Sequence, residues 1–495
     1  MKLNTTSQKV IWPVLAGLPL MFSFHMDVAE SGKEKPSYTR PDILLFIADD
    51  MTGRDCEPYG NPDVKTPHLK KLAGEGICFD NMYTATAMCG PSRQSLYTGI
   101  QPVRNGSYPN HSRVYGHIVS IAHHFREMGY RVALIGKQHY APGASFPFEY
   151  LGGRNSDDGE GQDINLEDAR NYLNKDKTKP YLLVVATNQP HSPWNRGNPS
   201  GYREESINIP PYMVDTEFTR KQLVNYYAEI TYADSLVGYC MNMVEDYGNK
   251  DNTLFIFTSE QGHSLPFGKW TCYNTGLKTA FIARWPKEIK PGTRTSVLAQ
   301  YVDVLPTLYE ASGGDPRQLR GDKNKQMLLD GLSFFPALTG DETETRKYVF
   351  GVQTTRGINS GSASYPVRSI QNHDYKLIWN LNYQAPFYCS GSKPGARLYE
   401  EWLEKSKNDA VRYQQILRYR EKTEFELYDI RKDPFELINI DGTSAENTET
   451  RNQMLSELKN WMKNQGDEGI PTELKALTRF KGDTLRWYNQ NIYGN

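Results

Sequence analysis

The chain has 495 residues, with 57 Lys or Arg against 58 Asp or Glu and a formal net charge of −1. At a usual ~150 residues per domain, that length suits one large α/β domain with an appendage, or two to four smaller domains. The balanced charge leaves no electrostatic footprint for nucleic acid, and 38% hydrophobic with 23% charged residues excludes a disordered, collagen-like or multi-span membrane protein.

In chain order, Lys2 and Lys9 precede the apolar run Val10 to Phe24, and the small residues Ala29 and Ser31 follow. This is the order of a secretory signal peptide, expected over residues 1–31. Broken by Pro13 and Pro19, the run is short of the ~20 residues of a membrane-spanning helix. Six Cys are too few for a disulfide framework in an exported chain this long, and no C-x-x-C is present.

The continuous apolar run Ile43 to Ala48 reads as a strand buried on both faces, and Asp49-Asp50 follow at once. Thr66-Pro67 caps and starts a helix with Leu69 and Leu72 on its buried face. Ile118 to Met128 is a second helix, closed by Gly129. Tyr130 to Ile135 is a strand leading into Gly136-Lys137-Gln138-His139, and Asn155 to Asp163 is a surface loop. Tyr181 to Ala186 is a strand leading into Asn188-Gln189-Pro190-His191. Leu223 to Val244 is a long helix, and the strand Thr253 to Thr258 leads into Glu260-Gln261-Gly262-His263. Strands alternating with helices imply a mostly parallel sheet, which binds ligands beyond the carboxyl ends of its strands. Here those ends carry acids, amides, Lys and His, as one polar rim would.

Asp49-Asp50 with Glu260-Gln261 offers only oxygen ligands, which suits a hard cation such as Ca²⁺ or Mg²⁺. Between them in sequence stands Cys89-Gly90-Pro91-Ser92-Arg93, followed by Thr98-Gly99. Pro91 fits a first helical turn, so Cys89 falls at a helix N-terminus, where free N–H groups and Arg93 make a positive niche for a nucleophile attacking an anionic ester.

Cys89-x-Pro91-Ser92-Arg93 with Thr98-Gly99 resembles the signature of the formylglycine-dependent sulfatases, in the alkaline-phosphatase-like superfamily. The other rim segments match in order. Asp49-Asp50 resembles the first metal pair, Gly136-Lys137-x-His139 the Lys/His pair near the nucleophile, Pro190-His191-x-Pro193 the His-bearing loop, and Lys269 the sulfate-holding Lys. Glu260-Gln261 falls on the second metal pair but departs from the usual Asp with Asn or His. Asn274 and Lys278 likewise replace an acid and an Arg.

The resemblance implies a large mixed, mostly parallel sheet flanked by helices over residues 38–365. A smaller C-terminal α+β subdomain with a small sheet and helix would follow over 366–495, opened by the Glu426-Leu427-Tyr428-Asp429 strand. It also implies that a formylglycine-generating enzyme converts Cys89 to formylglycine, which joins Asp49, Asp50, Glu260 and Gln261 at the cation. Arg93, Lys137 and Lys269 would clamp the sulfuryl group, His191 protonate the leaving atom, and His139 help release sulfate. Asn105 to Ser112 resembles heparan N-sulfatase-like sequences, which points to a sulfated amino sugar with His111 and His263 as sugar contacts. The competing expectations are a phosphate or phosphonate monoester hydrolase and an inactive glycan-binding homologue. N-x-Ser sequons at Asn105 and Asn110 fall in the site region, where glycans would obstruct substrate. The expected location is therefore secreted or periplasmic in a bacterium, and lysosomal only in a eukaryote.

Overall fold

The computed structural model describes residues 39–154, 163–358, 360–480 and 482. The expected signal peptide and nearly all of the 155–163 loop lie outside the described residues. Among the described residues, no helix is long and apolar enough to cross a membrane, and all six Cys are buried and unbridged.

The four apolar runs within the described residues form strands. The larger sheet contains β1 (Asp42–Ala48), β2 (Ile77–Tyr83), β3 (Arg131–Gly136), β4 (Glu149–Tyr150), β5 (Tyr181–Ala186), β6 (Thr253–Ser259), β7 (Lys278–Thr279), β8 (Phe281–Arg284) and β9 (Thr293–Gln300). Its parallel half runs β4-β3-β5-β1-β6, with Ile43 of β1 registered on Leu182 of β5 and Leu254 of β6. Beyond β6 the pairing turns antiparallel through β8 to β2, which also pairs with β7 and, in parallel, with β9.

Continuous apolarity is required because both faces are covered. Along β1, Leu44, Phe46 and Ala48 enter one core and Ile43, Leu45 and Ile47 the other. This is the two-residue alternation of a pleated strand with no solvent face. The fold is therefore the expected mixed, mostly parallel sheet flanked by helices.

Three helix ends differ from expectation for identifiable reasons. Helix Pro67–Gly74 starts at Pro67, but Thr66 does not cap it. Instead the Asp234 carboxylate, from the long helix, accepts the His68 and Leu69 N–H groups at 3.0 and 2.7 Å. Helix Ile121–Glu127 is shorter than expected because Ser120 closes a capping box with His123, leaving Ile118 to bridge Asp322. The long helix spans Glu217–Tyr247, since Thr216 caps its start at Thr219 N–H and left-handed Gly248 ends it.

A second, antiparallel sheet orders β10 (Val349–Gln353), β11 (Val367–Gln371), β12 (Tyr375–Asn380) and β13 (Phe425–Asp429). Helix Ala445–Gln465 covers one face, packing Met454, Leu458 and Met462 on Ile370, Leu377 and Leu427. Its edge strand β10 precedes residue 366, so the small sheet draws on the segment expected to belong to the larger domain.

Arg368 of β11 is fully buried and pairs with Asp467, with Nη2 at 3.0 Å from Oδ1, while its Nη1 donates to the Gln353 and Val367 carbonyls. Removing one member of such a pair leaves an uncompensated buried charge. Asp467→Ala should therefore lose ~3–5 kcal/mol of unfolding free energy in urea. Arg368→Met with Asp467→Leu should lose much less.

Candidate active site

Four neighbouring parallel strands deliver the rim. Lys137 follows β3, the His191 loop follows β5, Asp49 and Asp50 follow β1, and Glu260 and Gln261 follow β6. Gly136 makes the first exit possible: its φ is +93°, and a Cβ there would lie 2.1 Å from the Ala186 carbonyl. Asp50 also sits in the left-handed region at φ 62°, a conformation costly for a non-glycine and held where function needs the side chain aimed.

Cys89 opens helix Cys89–Thr98, whose ten residues are all buried, after Met88 in extended conformation. Its Sγ lies 3.8 Å from Asp50 Oδ1 and accepts from Gln261 Nε2 at 3.3 Å. The rest of the motif braces the second acid/amide pair. Ser92 Oγ donates to the Glu260 carbonyl at 2.6 Å, and Arg93 Nη2 donates to Glu260 Oε2 at 3.0 Å. Sequence reasoning quoted Ser92 in the motif without giving it a role, and missed its partner Thr84 at 2.7 Å. Nothing in the sequence links β2's end to this helix.

The site is a buried lattice of opposite charges. Lys137 Nζ donates to Asp49 Oδ2, and Lys269 Nζ donates to Asp50 Oδ2 at 2.9 Å. Gln261 Nε2 donates to Asp50 Oδ1 at 2.6 Å. Burial pushes the Asp49 carboxyl up, but Lys137, a hydrogen bond with Glu260, His191 and Arg93 together hold it well below the carboxylate range. Burial pushes Glu260 well above that range, because Arg93 offsets only part of the penalty and the charge on Asp49 adds to it. Burial also drives the Cys89 thiol up to about 12 despite Lys137 and Lys269, so the positive niche does not make a thiolate.

The donor set fits a cation. Asp49 Oδ1, Glu260 Oε1 and Gln261 Oε1 are buried with no hydrogen-bond partner, an arrangement that costs ~1–3 kcal/mol per group unless something meets the oxygens. Ligand atoms of Asp49, Asp50, Cys89 and Glu260 lie within 4.8 Å of one another. Oxygen-dominated sets of this kind suit Ca²⁺ or Mg²⁺. The Gln261 amide can rotate to exchange its oxygen and nitrogen, so the unusual Glu260-Gln261 pair still offers two oxygens.

The histidines divide. His191 is partly open, its side chain 30% exposed, with Nε2 3.6 Å from Asp50 Oδ2 and Nδ1 against the Ser192 carbonyl at 2.5 Å. His139 lies behind Cys89, its ring 3.5 Å from where a Gly90 Cβ would stand. Its Nε2 meets Nδ1 of exposed His111 at 2.9 Å, joining residues 28 apart in sequence. Burial, then His111 and Lys137, hold the His139 pKa well below its usual value. His263 is not brought to this group: it is 1% exposed, with Nε2 2.9 Å from the Tyr212 hydroxyl. Trp270, not singled out from the sequence, places its ring 5.1 Å from Lys269 Nζ.

The sulfatase family model matches residues 41–314. An ulvan-active sulfatase from Formosa agariphila is 33% identical over 451 residues, covering 89% of this chain and 84% of its own. The human N-sulphoglucosamine sulphohydrolase is 26% identical over 434 residues, covering 80% of this chain and 85% of its own. A solved structure of a protein in complex with its substrate D-glucosamine-2-N,6-O-disulfate shares the fold, with TM-score 0.65, 22% identity, and coverage of 87% of this chain and 99% of that one.

Filling the orphaned oxygens should stabilise the folded chain by RT ln(1 + [L]/Kd), ~2.7 kcal/mol at a hundredfold excess over Kd. Melting curves should shift upward with Ca²⁺ and return with chelator. Glu260→Ala should abolish the shift, and an unchanged shift would place the ion elsewhere.

Proposed function

As the chain belongs to the sulfatase family, we propose that it hydrolyses a sulfate ester or sulfamate on a sulfated glycan, a glycosaminoglycan or mucin-type amino sugar. The nucleophile on this reading is residue 89 after oxidation to formylglycine by a maturing enzyme. The observation that carries the reading is the seat of Cys89, with Sγ 3.8 Å from Asp50 and 3.3 Å from Gln261. Lys137 and Lys269 are anchored on the two aspartates beside it. The named substrates of the relatives, ulvan and sulphoglucosamine, support a sugar as the carrier of the sulfate.

A divalent cation held by Asp49, Asp50, Glu260 and Gln261 would polarise the sulfate oxygens and acidify the hydroxyl of residue 89. Lys137, Lys269 and Arg93 are preorganised charges that neutralise the sulfuryl group as it transfers, with no reorganisation at the moment of reaction. An oxygen of residue 89 bonds to sulfur as the sulfur–oxygen or sulfur–nitrogen bond to the sugar breaks in line. His191, at the open side of the site, gives its proton to the departing atom. Burial lowers its pKa, and the negative charge of a bound sulfate opposes that shift and favours the protonated ring. His139, kept neutral, takes the proton of the remaining hydroxyl on residue 89 as sulfate leaves and the aldehyde returns. Exposed His111, held on His139, is the sugar contact of this scheme. The apolar N-terminal run supports export to the periplasm or beyond.

Cys89→Ala should reduce turnover of sulfated sugars to background while leaving the melting temperature near that of the parent, because the nucleophile contributes little packing. Wild-type activity in that variant would sink the formylglycine reading. Parallel assays on nitrophenyl sulfate and nitrophenyl phosphate separate a sulfatase from a phosphate-ester hydrolase: sulfate should be the faster by kcat/KM.

A proton donor matters in proportion to the basicity of the leaving atom. His191→Ala should therefore lose ~10²–10⁴ in kcat on a sulfated sugar and far less on nitrophenyl sulfate. Lys269→Ala should depress both substrates, since both carry the same sulfuryl charge. Equal losses for His191→Ala would make it a sulfate ligand instead.

A further inference from the structure

Next to the site, on the far side of Thr52, lies a cavity of about 550 Å³ whose lining includes none of the residues given a role above. Thr52 walls it off: its N–H donates to the Tyr226 hydroxyl at 3.2 Å, and its Oγ1 donates to the Thr275 carbonyl at 2.9 Å. The space is in the range that holds a drug- or sugar-sized ligand rather than a few waters. Tyr59, Tyr227 and Phe435 line it, with Arg294 and Arg54 lying over the rings of Tyr59 and Phe435, while Arg54, Lys278 and Arg294 give it positive charge.

Donors and acceptors in this cavity are unequally satisfied. Asp80 is taken by Arg294. Asp55 accepts from the Tyr226 hydroxyl at 3.0 Å and from Asn61 Nδ2 at 3.4 Å, and Asp63 accepts the Asn208 N–H at 2.8 Å. Among the described residues, Arg54 makes a hydrogen bond only through Nη2, to the Pro434 carbonyl at 3.0 Å, with its guanidinium 4.1 Å over Phe435. Lys278 Nζ donates, among the described residues, only to Asn81 Oδ1, at 3.1 Å, and lies 5.7 Å from the Tyr83 ring centroid. Among the described residues neither cation is ion-paired. A guanidinium offers five donors and an ammonium three, so what this cavity lacks is acceptor oxygen.

We propose that the cavity is a second ligand site, taking the oxyanion of an acidic or sulfated monosaccharide unit on Lys278 and Arg54, with the sugar filling the remaining volume. Sulfate and carboxylate share the chemistry this requires. The site is independent of hydrolysis, since nothing in it reaches residue 89. Burial, with Arg54 and Lys376 repelling and Asp80 and Glu436 only partly compensating, pulls the Lys278 ammonium down to about 8. This is the signature of a cation short of counter-charge. An anion bound there raises that pKa, so affinity should fall as pH rises through about 8.

The test is calorimetric titration of the full chain carrying Lys269→Ala together with Lys137→Ala, which leaves of the active-site sulfate clamp only Arg93, itself paired with Glu260. Inorganic sulfate, glucuronate and glucosamine 6-sulfate are the probes. One site per chain should remain, and both sugars should bind more tightly than inorganic sulfate. Adding Lys278→Met should weaken that site at least tenfold and remove its pH dependence, while Lys278→Met alone leaves nitrophenyl sulfate turnover unchanged. Preference for glucuronate or for the sulfated sugar identifies which oxyanion the site takes. No residual site in the chain carrying Lys269→Ala and Lys137→Ala, equal binding of inorganic sulfate and sugars, or indifference to Lys278→Met each overturns the proposal. Should Lys278→Met fail to fold, selenate soaked into crystals of the parent chain gives the answer. An anomalous peak beside Lys278 Nζ supports the site, and a peak only at Lys269 overturns it. Failure of the sulfatase reading at residue 89 would leave all these outcomes unaffected.

Discussion

Everything in the site depends on burying Asp49, Asp50 and Glu260 together with Arg93, Lys137 and Lys269, none of them more than 4% exposed. Charges out of water are tolerated only when each has a partner and its hydrogen bonds are met. The parallel strands make this possible by releasing their side chains at the same edge, and the Cys89 helix brings Arg93 in from the side. With all six ionised, three acids against three bases leave the lattice formally neutral. A dication, a sulfate monoester and one deprotonated hydroxyl at residue 89 would also sum to zero, so the proposed chemistry adds no net charge to a place that cannot hold one.

The strands that carry the site were legible in the sequence because they are covered on both faces, and that forces apolar residues without interruption. The other half of the sheet was not. β2 reads Ile77-Cys78-Phe79-Asp80-Asn81-Met82-Tyr83, with two polar residues inside it, and β7 is two residues long. A local cap did not guarantee a correct start: the helix capped by Ser120 was expected three residues early, at Ile118. The start at Pro67 was legible from the proline, but its cap was not, because Asp234 lies 166 residues beyond His68.

The candidate site followed the same division. Residues within two positions of a strand end fell where expected, because a strand end fixes where the chain leaves the sheet. His263 misled because it shares a loop with Gln261, yet its ring turns to Tyr212. Ser92's hold on Glu260 and the His111–His139 contact are both meetings of segments far apart in the chain. Only the folded geometry decides such meetings.

The burial of the Cys89 helix also sets an order of events. With all ten of its residues inside and the sulfur 2% exposed, a large catalyst cannot take hold of this segment once the sheet has closed around it. Any enzymatic change to residue 89 therefore belongs to the interval between synthesis and folding. A chain that folds first would be compact and stable but permanently unconverted. The fraction of competent molecules would then be fixed by a race between a modifying enzyme and collapse of the chain, and later addition of that enzyme could not improve it.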